Sequence, residues 1–136
     1  MEATTSRPLR VLIVENHRDT LESLKLYLED SGHEVYTSMT LSDAASVLRQ
    51  CECDVVICDI GLPDGTGWDL METISKLPRR IFAVAMSGFG MNADRSRSRE
   101  VGFRWHLLKP FKVAELEKAL AKACEELCDT ELAGGD

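Results

Sequence analysis

Apolar residues along this chain fall into two alternating patterns. Five short runs are dense in them: Leu9–Val14, Glu34–Thr37, Asp54–Cys58, Ile81–Met86 and Trp105–Leu108. The first, third and fourth are almost unbroken and rich in Val and Ile, as strands buried on both faces of a parallel sheet are. The second is half polar, which suits an edge strand. Between the runs, apolar positions recur at helical spacing. Leu21, Leu24 and Leu28 share one face, and Gly32 follows as a stop signal. Thr40 with Asp43 has the spacing of a capping box ahead of Leu41, Ala44, Ala45 and Leu48. Leu70, Ile74 and Leu77 make a third stripe, ended by Pro78, and Val113, Leu116, Leu120 and Leu127 make the last. Asn92–Glu100 is the weakest helical pattern, with few apolar residues.

Strands alternating with helices in the order βαβαβαβαβα predict an α/β fold with a doubly wound parallel sheet. Right-handed crossovers then place helices on both faces. A length of 136 residues fits one domain. Its expected limits are 9–127, after an N-terminal extension over 1–8 and before an acidic, Gly-rich tail over 128–136 that is expected to be loose.

Composition narrows the function classes. At 44% hydrophobic and 29% charged, the chain can bury one core and does not read as disordered. No run approaches the roughly 18 apolar residues of a membrane span, and the start lacks a signal-peptide layout, so a cytoplasmic location is expected. The net charge of −7 argues against direct binding to nucleic acid, which needs clustered Lys and Arg. Cys51, Cys53, Cys58, Cys124 and Cys128 form no framework spacing and read as reduced thiols. No His stands beside either close pair to complete a zinc site.

Open parallel sheets bind ligands beyond the carboxyl ends of their strands. Glu15, Asn16 and His17 follow the first run, Asp59 the third, Ser87 and Gly88 the fourth, and Lys109 and Pro110 the fifth. Any one of these could be a cap or a turn residue. Together they bring carboxylates, an amide, a hydroxyl and an ammonium to one rim. That set suits phosphoryl transfer to a carboxylate, which can act as nucleophile and form an aspartyl phosphate. Magnesium takes oxygen ligands of this kind, Lys109 supplies a point charge to a phosphoryl oxygen, and Ser87 supplies a donor. Gly88 leaves room beside Ser87 for the phosphoryl group.

Four segments on successive elements carry a family resemblance: Val11–His17, Asp54–Gly67, Ala85–Gly88 and His106–Phe111. Over about Leu9–Leu127 the chain resembles the response-regulator receiver domains of two-component signalling. The resemblance implies a five-stranded sheet in the order 2-1-3-4-5, flanked by five helices as in flavodoxin-like folds. It makes Asp59 the phospho-acceptor and gives Ser87 the phosphoryl group after transfer. Lys109 would pair with Asp59 or its phosphate. Glu15, Asn16, Asp59 and the carbonyl of Gly61 would surround a magnesium ion. The Lys109–Pro110 bond would be cis, and His106 would occupy the place of an aromatic switch residue. The implied partners are a histidine kinase or histidine phosphotransfer protein as donor and a downstream protein as target. Catalysis would be limited to self-phosphorylation from a donor and autodephosphorylation.

The chain departs from the family at Asn16, where a second carboxylate is usual. An amide oxygen can coordinate a cation but brings no charge. Magnesium affinity should fall by about one to a few kcal/mol at an effective dielectric of about 20. Two readings of Asp59 follow: a working phospho-acceptor, or a pseudo-receiver that keeps the fold and binds partners without phosphate. The segment Asp64-Gly65-Thr66 resembles part of a phosphatase pattern, but Leu62 stands where that pattern needs an acid, which argues against a hydrolase.

Arg95, Arg97, Arg99 and Arg104 gather around the fourth helix of an acidic protein. They read either as a docking surface for an acidic partner or as a solvated helix face. Trp68 and Trp105 read as packing residues, and His17 and His33 as surface residues rather than ligands.

Overall fold

The computed structural model describes residues 8–88 and 94–135. Most of the N-terminal extension, Asn92 and Asp136 therefore lie outside the described residues. The elements run β1 (Arg10–Val14), α1 (Arg18–Asp30), β2 (Glu34–Ser38), α2 (Leu41–Gln50), β3 (Val55–Asp59), β4 (Gly61–Leu62), β5 (Gly65–Thr66), α3 (Gly67–Ser75), β6 (Phe82–Ser87), α4 (Asp94–Val101), β7 (Trp105–Leu108) and α5 (Val113–Gly135). The main sheet is parallel in the order β2-β1-β3-β6-β7. Counted by itself, this sheet has the expected order 2-1-3-4-5. The two-residue strands β4 and β5 form a small antiparallel ladder that the sequence pattern does not reveal.

Alternation along the strands divides the core into two layers. Val11, Ile13, Val55, Ile57, Val84 and Met86 face the layer of α1 and α5, where Leu24, Leu28, Leu116 and Leu120 meet them. Leu12, Val14, Val56, Cys58, Ala83 and Ala85 face the layer holding Leu48, Leu70 and Ile74 of α2 and α3. This two-sided burial explains why the central runs read as continuous apolar stretches. Each fully buried Leu, such as Leu28, contributes about 1.5–3 kcal/mol relative to exposure.

The ends of the helices follow local chemistry. Past α1, Gly32 takes φ +98°, its N–H donates to Glu29 O at 3.0 Å, and the His33 N–H donates to Leu28 O at 3.0 Å. That is a Schellman stop, and its left-handed residue favours glycine. Thr40 caps α2 by accepting from the Asp43 N–H, as its spacing implied. Asp64, from the loop after β3, also accepts from the Leu41 and Ser42 N–H groups at 2.8 and 3.1 Å. The loop after β3 is thereby tied to α2. A second capping box, Thr66 with Asp69, starts α3 earlier than its apolar stripe suggests. α5 continues as backbone helix through Gly135, so the end of the chain is more regular than the expected loose tail.

Candidate functional site

In the sheet order, β1 and β3 are neighbours whose following helices leave toward opposite faces. Their crossovers part there and open a crevice at the carboxyl edge. Glu15 follows β1 directly, its N–H donating to Ser38 O at 3.0 Å. Asp59 and Ser87 are the last residues of β3 and β6, each one step further into the ladder than the apolar runs suggest. Asp59 pairs with Met86 and Ser87 with Leu108, so the sheet itself fixes both. Lys109 follows β7, held by its N–H to Ser87 O at 2.8 Å, and the Lys109–Pro110 bond is cis as expected.

Lys109 Nζ donates to Glu15 Oε1 at 2.5 Å and to Asp59 Oδ2 at 2.7 Å. Glu15 is fully buried and Asp59 is 7% exposed. One ammonium thus bridges two acids from different strands. Burial opposes ionisation of Glu15, but hydrogen bonds from Lys109 and from the His17 backbone and ring, with the Lys109 charge, outweigh it and hold the carboxyl below its ordinary value. At Asp59 burial prevails over Lys109, and the neighbouring Glu15 charge adds to it, so this carboxyl is held above its ordinary value. Burial works against the Lys109 charge, yet Asp59 and Glu15 overcome it and raise the ammonium. The two acids therefore differ in character. Lys109 and His17 favour the Glu15 anion, whereas burial and the Glu15 charge oppose the Asp59 anion.

Asp59 Oδ1 accepts only a longer hydrogen bond, 3.2 Å, from the Gly61 N–H. Behind it Gly67 packs against the strand end, where a Cβ would meet Asp59 O at 2.7 Å and Cys58 Sγ at 3.2 Å. Glycine is required there by close approach. At Gly88 a Cβ would meet nothing within 4 Å, consistent with open space beside Ser87. Ser87, fully buried, lies 2.6 Å from His106 Nε2. The structure therefore joins the expected hydroxyl to the expected switch residue directly.

Residues 11–121 match the response regulator receiver domain family. The chain belongs to that family. The receiver domain is 31% identical over 108 residues to the probable transcriptional regulatory protein SilR of Salmonella typhimurium, covering 79% of this chain and 47% of SilR. It is 26% identical over 122 residues to an uncharacterised 14.6 kDa protein of Leptolyngbya boryana, covering 88% and 93% respectively. The chain thus spans about half the length of the transcriptional regulators it resembles and nearly all of the small protein. The solved receiver domain of HemR from Leptospira biflexa, in its non-phosphorylated form, superposes with a TM-score of 0.77 at 31% identity over 87% of this chain and 94% of that one. A CheY-like receiver domain from Methylobacillus flagellatus gives 0.74 at 31% identity over 86% and 99%. Receiver domains of this family work in two-component systems, and phosphorylation on Asp with Mg2+ is typical of them.

The acidic rim of the receiver domain suits that ion: Glu15 and Asp59 offer carboxylate oxygens, and His17 offers a ring nitrogen within 4.8 Å of them. His17 was expected at the surface, and its side chain is 71% exposed, yet Nδ1 lies 2.9 Å from Glu15 Oε2. Its proximity to Glu15 in sequence was the only available signal. Asn16 is half-buried beside it. The arginines divide. Arg104 forms a bidentate pair with Glu126 at 3.1 and 2.8 Å, and Arg97 stacks 4.3 Å above Trp68. The indole N–H of Trp68 donates to Ser98 Oγ at 2.9 Å, an anchor for the otherwise polar α4 that no sequence pattern announced. Cys51, Cys53 and Cys58 carry free thiols, and burial pushes the Cys53 thiol up to about 11. None of the described helices is long and apolar enough to cross a membrane.

Proposed function

We propose that this receiver domain accepts a phosphoryl group on Asp59 from a cytoplasmic histidine kinase or histidine phosphotransfer protein and passes the change to a downstream protein by contact. The bridge from Lys109 to both acids carries this reading, because it presents a desolvated, basic carboxylate beside a fixed cation. In the transfer, the P–N bond of the donor phosphohistidine breaks as an Asp59 oxygen bonds to phosphorus, and the imidazole leaves with the electron pair. Lys109 keeps its place between the strands and neutralises charge on the incoming group. Glu15, Asp59, the Asn16 amide and the Gly61 carbonyl are the residues that would hold Mg2+, which supplies positive charge to the phosphoryl oxygens.

A cleft of about 640 Å³ lies beside Lys109, between Thr20 and Leu24 of α1 and Phe111. Once Asp59 carries phosphate, the Ser87 hydroxyl turns from His106 Nε2 to donate to a phosphoryl oxygen. Its departure removes the Ser87 contact of the ring, and the surface around Trp105 and α4 changes with it. Intact mass after incubation with acetyl phosphate and Mg2+ tests the proposal. The native chain gains one phosphoryl group and Asp59→Asn gains none. No gain from acetyl phosphate or from a phosphohistidine donor would turn the reading to a constitutive interaction module.

A further inference from the structure

The metal-binding edge of this site differs from an all-oxygen one. Lys109 occupies one oxygen of each acid, Glu15 Oε1 and Asp59 Oδ2. The other two oxygens are Glu15 Oε2, beside the His17 backbone and ring, and Asp59 Oδ1, which accepts from the Gly61 N–H at 3.2 Å. The only nitrogen donor that groups with both acids, among the described residues, is the His17 ring. Nδ1 lies 2.9 Å from Glu15 Oε2, and one ligand atom from each of the three residues falls within 4.8 Å of the others. Ligand atoms on one ion bound at about 2.0–2.3 Å sit at separations up to about twice that length, so the three can share a cation with small side-chain adjustments.

We infer that His17 is a ligand in this receiver's metal site, making it a mixed nitrogen–oxygen site that takes a first-row transition dication such as Zn2+ in preference to Mg2+, with Mn2+ as a paramagnetic stand-in. This inference rests on the metal-assisted reading above. Three observations support it. Asn16 stands where a charged oxygen ligand is usual, so the oxygen set that Mg2+ favours is depleted. Imidazole suits transition dications, whereas Mg2+ gives up its water for nitrogen reluctantly. Glu15 Oε2 also accepts the His17 main-chain N–H at 2.9 Å, so the carboxylate stays held when Nδ1 turns its lone pair to a metal. The ring N–H is then Nε2–H, which the exposed ring can point to water as a hydrogen-bond donor.

His17→Ser is the appropriate variant, because His17 is the N-cap of α1 and serine serves that position well. Unchanged circular dichroism and thermal midpoint establish that it folds. Mn2+ is titrated into native and variant protein by continuous-wave EPR, Mg2+ is used as competitor, and the Mn2+ complex is examined by pulsed EPR for coordinated 14N. The native complex shows imidazole-nitrogen modulation, and His17→Ser lacks it. Outer-shell partners of metal ligands alone change affinity by about 10–100-fold, so loss of the ring lowers Mn2+ affinity by at least about tenfold. Mg2+ affinity falls by less than Mn2+ affinity, since Mg2+ loses only an outer-shell partner of Glu15 and Mn2+ loses a ligand, so the Mn2+-to-Mg2+ ratio drops. Mn2+ bound without nitrogen modulation, or an unchanged Mn2+-to-Mg2+ ratio in His17→Ser, overturns the role of His17 while leaving phosphoryl transfer to Asp59 intact. Failure of any dication to bind the native chain overturns both this inference and metal-assisted transfer. The acetyl phosphate experiment, run separately, shows whether Asp59 is an acceptor at all.

Discussion

Gly67→Ala perturbs the acceptor from behind without touching any charged group. The added Cβ would lie 2.7 Å from Asp59 O, 3.2 Å from Cys58 Sγ and 3.3 Å from Ile60 Cα. Ordinary carbon–oxygen contacts begin near about 3.3 Å, so the overlap with the carbonyl is roughly 0.6 Å. Neither partner can yield cheaply. Asp59 is in register with Met86, the Ile60 N–H donates to Met86 O at 2.9 Å, and the Gly67 N–H donates to Ile60 O at 2.7 Å. Overpacking against such a backbone costs about 1–3 kcal/mol. Alanine recovers part of this in the first turn of α3, where its helix propensity exceeds that of glycine by at most about 1 kcal/mol. The net loss is about 1–2 kcal/mol, a fall in thermal midpoint of about 3–8 °C for a domain of this size. Urea unfolding measures it. In a Cys58→Ala background the loss remains at least about 1 kcal/mol, because the sulfur contact is relieved and the carbonyl contact is not. The same strain shifts Asp59 against Lys109, so phosphoryl uptake slows. A Gly67→Ala chain as stable as the native one would falsify this account of the strand end.

The two acids should respond oppositely to neutral isosteres. Glu15→Gln removes a buried carboxylate stabilised by Lys109 and His17 and costs about 2–3 kcal/mol at neutral pH. Because the folded state lowers the Glu15 pKa, its contribution is complete above the unfolded value and fades as pH falls through the folded one, so the cost of Glu15→Gln vanishes in acid. Asp59→Asn stabilises the chain by about 1–2 kcal/mol, since Lys109 keeps Glu15 as partner. With its folded pKa raised, ionised Asp59 opposes folding, so the gain is absent below the unfolded pKa, grows as pH rises past it and is complete above the folded one; equal shifts for both variants in urea titrations from pH 3 to 8 would contradict the assigned environments. Trp68→Phe deprives the buried Ser98 hydroxyl of its indole donor and leaves Arg97 a weaker cation–π partner, lowering stability by about 1–3 kcal/mol and accelerating amide exchange in α4 more than in α1. Ser87→Ala slows phosphoryl uptake and removes the response of the His106 ring resonances to it, as read by NMR; a His106 response that survives the substitution would show another route.

The layer architecture was legible in the sequence, because two-sided burial leaves an unmistakable trace: the interiors of β1, β3 and β6 are apolar at successive positions, and the helices at one position in three or four. Motif residues at the strand ends, Asp59, Ser87 and Lys109, were legible for a related reason, since polar chemistry stops an apolar run at a definite place. Gly32 announced the end of α1 because its left-handed backbone is a property of the residue itself.

Other features depended on distance, which composition does not encode. Nothing about Gly67 reveals that Asp59 O lies 2.7 Å from its missing Cβ, or about Trp68 that Ser98 and Arg97 would come to it across some thirty positions. The opposite characters of Glu15 and Asp59 are likewise tertiary. Both are carboxylic acids at strand ends, and only the balance between burial, Lys109, His17 and each other separates a favoured anion from an opposed one. Hydrophobic period is a sum over neighbours in the chain, so sequence alone determined the fold class and the rim on which chemistry gathers. Electrostatic environment and steric contact are sums over neighbours in space, so only the folded sheet decided which acid is poised, which glycine is indispensable and where His17 points.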